Sequence, residues 1–180
     1  MKYISLLRGI NVSGQKKIKM ADLKFLYEGL GFENVVTYIQ SGNVVFDCKT
    51  KQADEIKSAI ERAIEEKYSF FVPVHMGTVE ECRHIIDSCP FEEARLEENG
   101  SKILISFLLS VPEESNIAEL MKYVKLPERL IVDGRVVFLY CPNGYGRSKL
   151  SNTFLESKLK VVATTRNWKT VCKLYALSRE

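Results

Sequence analysis

The order in which the apolar pattern switches period over residues 1–76 limits the folds open to this chain. Tyr3, Ile4, Leu6 and Leu7 form a short run that stops at Arg8-Gly9 and predicts a strand over residues 2–7. Met20, Leu23, Leu26, Tyr27 and Leu30 then recur at the spacing of one helical face, and Gly31-Phe32 predicts a left-handed cap with its hydrophobic contact. Val35, Val36, Tyr38 and Ile39 predict a second strand and Val44, Val45 and Phe46 a third, joined as a hairpin through Ser41-Gly42-Asn43. Ile56, Ala59, Ile60, Ala63 and Ile64 mark a second helix, with Asp54 and Glu55 where the helix dipole favours acids. Phe70-Phe71-Val72-Pro73-Val74 predicts an edge strand, because proline cannot donate to a central ladder. The order β-α-β-β-α-β is the split βαβ or ferredoxin-like pattern, an α/β plait, which puts the chain in the α+β class.

Near Met76-Gly77 the pattern begins again, so the expected division is a first unit over residues 1–76 and a second over 77–180. Thr78-Val79-Glu80-Glu81 is a capping box opening a helix with Val79, Cys82, Ile85, Ile86 and Cys89 on one face, ended by Pro90. Residues 92–100 are acidic and turn-rich and read as an exposed loop before a strand over 102–109. Ile117, Leu120, Met121 and Val124 define the next helix, and Asp133-Gly134 is a two-residue hairpin signal between apolar runs at 130–132 and 136–140. Two further helices carry Leu150, Phe154, Leu155 and Leu159, and Trp168, Val171, Cys172 and Tyr175. The second half thus reads as an altered copy of the first with added helices.

Charge and composition narrow the function classes. Twenty-six Lys and Arg against twenty-three Asp and Glu leave a net charge of +3, short of a nucleic-acid signature. The opening residues are too short an apolar run for a signal peptide, and no segment approaches the roughly 18 apolar residues of a membrane span. The expectation is a cytoplasmic protein with no membrane partner. Five cysteines without a Cys-x-x-Cys pair read as reduced, buried thiols. His75 and His84 fall in no metal-binding spacing, no Gly-x-Ser-x-Gly elbow occurs, and Cys82 and His84, two apart on a helix, point to different sides. No metal site and no cofactor is expected, and no catalytic motif stands out.

Polar residues gather in two places. In a split βαβ unit the first strand lies antiparallel beside the third, so Arg8 and Asn43 are expected at one edge of the sheet. The loop over residues 9–18 adds Asn11, Ser13, Gln15, Lys16 and Lys17, and about ten residues is long for such a link. Glycines let N–H groups approach a ligand, arginine supplies a planar fork, and a helix start points its positive end the same way. Arg8, Gly9, Asn11, Gln40, Ser41 and Asn43 are therefore candidate anion ligands, although neither a P-loop nor a dinucleotide fingerprint is present. The competing reading is that the glycines permit turns, Arg8 pairs with a surface carboxylate and the lysines are a solvated face.

The second gathering is Asn143-Gly144-Tyr145-Gly146-Arg147-Ser148-Lys149 together with Thr164-Thr165-Arg166-Asn167-Trp168, both ahead of predicted helices. Tyr145, Arg147, Ser148, Thr165, Arg166 and Asn167 are its candidate ligands. The competing reading makes Ser151 or Thr153 and Thr165 or Asn167 helix caps, with Trp168 in the core.

Taken whole, the strings LLRGINVSG, VVTYIQSGNVVF, GYGRSKLSN and ATTRNWKTV, in this order, resemble the bacterial domain of unknown function family 1697 over essentially the entire chain. The resemblance implies two ferredoxin-like units in tandem. Its motif positions fall on Arg8, Gly9, Asn11, Gly14, Tyr38, Gln40, Ser41, Gly42, Asn43, Tyr145, Arg147, Ser148, Thr165, Arg166, Asn167 and Trp168, none with an assigned role. Ser13 stands where that family often has glycine, and Lys19 where it often has proline. The leading expectation is a binding protein for an anionic, phosphorylated or carboxylated small molecule, with both clusters as walls of one site between the halves. The alternatives are a nucleic-acid-binding protein, weakened by the absence of aromatic-rich RNP strings, a transferase or hydrolase using the same arginines, and a protein-interaction module.

Overall fold

In the computed structural model, which describes residues 1–49 and 52–180, β1 (Lys2–Leu7) is an inner strand of the first sheet. It pairs antiparallel with β3 (Asn43–Asp47) on one side and β4 (Val74–Thr78) on the other, and β2 (Glu33–Tyr38) lies outside β3, giving the order β2-β3-β1-β4. The links are α1 (Met20–Gly29) and α2 (Ala53–Tyr68). Tyr3 and Leu7 of β1, with Val44 and Phe46 of β3, share one core with Leu23 and Tyr27 of α1 and Ile56, Ile60 and Ile64 of α2. Ile4, Leu6 and Val45, on the other face of the same strands, are buried as well.

The expected cap forms as a Schellman motif. Gly31 takes φ +84°, its N–H donates to the Glu28 carbonyl at 2.9 Å, and the Phe32 N–H donates to that of Tyr27 at 3.3 Å. This drops Phe32 onto Phe46, ring centroids 4.6 Å apart, with Tyr27 edge-on to Phe46 at 5.3 Å. The Tyr27 hydroxyl shares a 2.9 Å hydrogen bond with Ser5, and burial holds its phenol well above the ordinary range.

Two strand assignments change. Residues 70–73 are not a strand; β4 starts at Val74, so Pro73 sits just outside the ladder, where its carbonyl accepts the Arg8 N–H at 2.9 Å. The junction expected at Met76-Gly77 consequently lies inside β4. The capping box forms directly after it, Thr78 N–H to Glu81 Oε2 at 2.7 Å and Glu81 N–H to Thr78 Oγ1 at 3.1 Å, and opens α3 (Val79–Asp87).

The second sheet repeats the order of the first. β5 (Ile103–Leu108), α4 (Glu114–Met121), β6 (Arg129–Asp133), β7 (Val136–Tyr140), α5 (Asn152–Leu159) and β8 (Ala163–Asn167) build β6-β7-β5-β8, all antiparallel, and α6 (Trp168–Ser178) follows. β8 is the second correction, because residues 164–167 were expected only as a polar lead-in to a helix. Asp133 pairs with Val136, which makes Gly134 and Arg135 the turn residues, one position later than expected, with Gly134 at φ +54°. The stretch 92–100 is not a plain exposed loop: it holds two short 3-10 turns and buries Asn99 and Gly100. The core of this sheet joins Leu104, Leu108, Val137 and Leu139 to Leu120, Leu155 and Leu159. By contacts the chain divides into two compact units, Met1–Arg83 with Lys173–Glu180, and His84–Cys172.

Candidate functional site

The two polar stretches of the first unit interlock at one end of its sheet. The Leu7 N–H donates to the Gly42 carbonyl at 2.8 Å, so Arg8 leaves β1 beside the turn that enters β3. Asn11 then fastens the loop, its Nδ2 donating to the carbonyls of Ile18 at 2.9 Å and Gln40 at 2.8 Å while its Oδ1 accepts the Ile18 N–H at 2.9 Å. Asn43 is fully buried, and its Nδ2 donates to the Tyr38 carbonyl and to Ser41 Oγ, both at 2.9 Å. Ile10 packs over Gly42, where a Cβ would lie 2.7 Å from Ile10 Cδ1 and from Leu7 Cβ.

These contacts separate the candidates by role. The Asn11 and Asn43 amides are engaged inside the protein, and Gly42 is a packing position. Arg8 and Ser41 are half-buried, and Gly9 and Gln40 are exposed. The loop backbone is unusual: Gly9, Asn11, Ser13, Gly14 and Lys16 have φ between +45° and +75°, in or bordering the left-handed region. Val12 and Gln15 close a tight turn at its tip, and Lys16 Nζ donates to the Phe71 carbonyl at 2.8 Å. Among the described residues the N–H groups of Gly9, Ser13 and Gly14 have no hydrogen-bond partner, and all three residues are exposed.

The second cluster lies in the other unit and is mostly internal. Thr165 on β8 shares a 2.7 Å hydrogen bond with Ser106 and donates to Asn152 Oδ1 at 2.7 Å. Arg166 is only 8% exposed, its Nη1 donates to the Thr165 carbonyl at 2.9 Å, and burial lowers its pKa to about 10. Asn167 Oδ1 accepts the Thr170 N–H at 2.8 Å and caps α6; Ser151 caps α5; Trp168 is buried. Ser148 Oγ accepts the Leu150 N–H at 3.0 Å. The Tyr145 hydroxyl is buried beside Thr165 and the Asn152 backbone without a well-aligned hydrogen bond, and burial raises its pKa. Arg147 is exposed.

The sequence over residues 1–138 matches the family described as "Protein of unknown function (DUF1697)". The chain belongs to this family. No functionally curated protein shows detectable similarity to it. Among solved structures the fold is similar to that of the conserved bacterial protein SP0830 from Streptococcus pneumoniae, with 22% identity, a TM-score of 0.75 and 98% of each chain covered.

For this DUF1697 chain, sequence reasoning brought the two polar stretches to one edge of the sheet, as the β1–β3 pairing does, and the side chains of Asn11 and Asn43, named among the candidate ligands, hold the backbone there. It expected glycine N–H groups of this loop to be open to a ligand but did not single out the Ser13 N–H, and it read Ile39 as a strand residue, whereas Ile39 lies in the β2–β3 turn with φ +48°. It also expected buried thiols; Cys48, Cys82 and Cys141 are buried, whereas Cys89 and Cys172 are half-buried. Among the described residues no three His, Cys, Asp or Glu side chains gather as a metal cluster. Burial pushes the Cys141 thiol beside Ser148 up to about 11. Since alkylation needs an accessible thiolate, and Cys141 is buried and held protonated, its iodoacetamide labelling in the folded protein, read by peptide mass spectrometry, is expected to lag far behind glutathione at about pH 8.

Proposed function

We propose that this protein binds a small phosphorylated or carboxylated anion at the loop end of its first unit. The observation that carries the reading is the set of exposed, unpartnered N–H groups of Gly9, Ser13 and Gly14 on left-handed backbone that Asn11 fastens. Successive N–H groups on such backbone form anion-holding concavities, and non-glycine residues kept in this conformation concentrate at ligand clamps. Arg8 and Lys17 add positive charge at the two ends of the loop, and residues 1–21 contain no Asp or Glu. Gln40 and Ser41 flank the same end, joined to it through the Asn11 bond to the Gln40 carbonyl.

The βαββαβ order with the inner strand pair β1–β3 supports a ferredoxin-like reading of the first unit, and β5–β7 does so for the second. In the second unit Arg147 is exposed, and Ser148, Arg166 and Asn167 make hydrogen bonds within the local structure. Inorganic phosphate is expected to shift the amide resonances of Gly9, Ser13 and Gly14, and Arg8→Ala to weaken its binding about tenfold, as loss of one charged hydrogen bond does. Phosphate that leaves those three amides unmoved sinks the reading.

A further inference from the structure

Three large apolar side chains stand exposed at the same end of the first unit: Val12 at 58%, Ile39 at 48% and Phe71 at 49%. They sit on three different turns that are tied together. Asn11 donates to the Gln40 carbonyl, Lys16 to the Phe71 carbonyl and the Arg8 N–H to the Pro73 carbonyl. Isolated exposed apolar residues are ordinary, but three collected at one end and interspersed with cations mark an interaction surface. Ile39 sharpens the point. A β-branched residue with positive φ is disfavoured by its backbone, and one left 48% exposed gains only part of the usual burial in return.

Positive charge predominates at this end. Arg8, Lys16, Lys17 and Lys19 lie in or beside the loop, and the first carboxylate in the chain is Asp22, which acts on the Tyr68 phenol. Glu61, near the start of β4, accepts the Val74 N–H. Apolar tips on separate turns, spaced by cations, enter a fluid interface without needing a matching contour, whereas a protein partner has to follow their relief.

We propose that this end of the first unit docks on an anionic lipid surface, with Val12, Ile39 and Phe71 entering the headgroup boundary and Arg8, Lys17 and Lys19 meeting headgroup phosphates. The inference rests on the anion reading of the same loop and names the source of the anion. This departs from the sequence expectation of no membrane partner, which rested on the absence of a spanning segment; no helix among the described residues is long and apolar enough to cross a membrane, and docking by turn tips needs none.

Cosedimentation of the full chain with phosphatidylglycerol-containing vesicles, against pure phosphatidylcholine vesicles, tests it. Binding to the first only, falling with added salt, is expected. Ile39→Asn and Phe71→Ser are each expected to weaken it about tenfold and Lys17→Gln about fivefold. Ile39→Asn also eases the backbone, so an unchanged or raised melting temperature shows that the loss is not unfolding. Vesicle binding unaffected by these substitutions overturns the proposal, as does tighter binding to an acidic peptide or an RNA oligonucleotide than to vesicles. Phosphate binding without vesicle binding overturns the lipid surface and leaves the anion site standing; absence of both overturns both.

Discussion

Gly42→Ala is expected to destabilise the first unit by about 3 kcal/mol, the sum of an overpacking cost and a left-handed backbone cost. The added Cβ would meet Ile10 Cδ1 and Leu7 Cβ at 2.7 Å and Ile10 Cγ1 at 3.1 Å, and Gly42 has φ +75°. Ile10 can turn away, but Leu7 Cβ is anchored in β1, so Ile10→Val in the same chain restores only part of the loss. Gly9→Ala is the control: at φ +67° with nothing within 4 Å, it carries the backbone cost alone, about 1 kcal/mol. Urea unfolding of the three variants measures the difference, and a Gly42→Ala loss no larger than that of Gly9→Ala would show that the close approach is not sensed. In melting temperature the Gly42 effect corresponds to about 6–12 °C for a chain of this size.

Asn11→Ala is expected to cost about 2–3 kcal/mol. It removes three hydrogen bonds of 2.8–2.9 Å, each contributing about 1 kcal/mol, and places alanine at φ +55°, which asparagine tolerates better. Water replaces part of the loss, because the Gln40 bond is exposed. Two readouts separate the fastening role from a generic surface change. The Ile18 amide, whose acceptor is Asn11 Oδ1, is expected to exchange markedly faster, and phosphate affinity is expected to fall although Asn11 does not touch the anion. Asn11→Asp keeps the acceptor and loses both donors, so its Ile18 amide stays protected while the Gln40 tie is lost. Equal exchange in all three proteins would contradict the fastening role.

The elements that were legible are those whose burial follows one period. Met20 to Leu30 and Ile56 to Ile64 keep a helical stripe because a single face of each helix meets the core, and the hairpin followed from two short apolar runs about a glycine turn. β4 was misplaced because Phe70-Phe71-Val72 is the more apolar string, yet Phe71 is half-exposed, while the real strand Val74–Thr78 is only partly buried. β8 was missed for the opposite reason. Its buried positions include Thr164 and Arg166, and Thr165 between them is held by hydrogen bonds to Ser106 and Asn152 that no hydropathy pattern encodes.

The same distinction runs through the candidate site. Strand order alone predicted that the stretch after β1 and the turn before β3 meet, since antiparallel pairing of β1 with β3 leaves no other arrangement. Whether a polar side chain in those stretches faces a ligand or holds the backbone was undecidable from its type, because asparagine is equally suited to both tasks.

By itself, then, the amino-acid order determined the α+β class, the βαββαβ succession and the edge at which its two polar stretches converge, because apolar period and strand adjacency are local or topological properties. Only the tertiary structure decided that Asn11, Gly42 and Asn43 build that edge and that Gly9, Ser13, Gly14, Val12, Ile39 and Phe71 face outward from it. A side chain's role follows from which partners lie within about 3 Å of it, and those partners are brought there by residues far away in sequence.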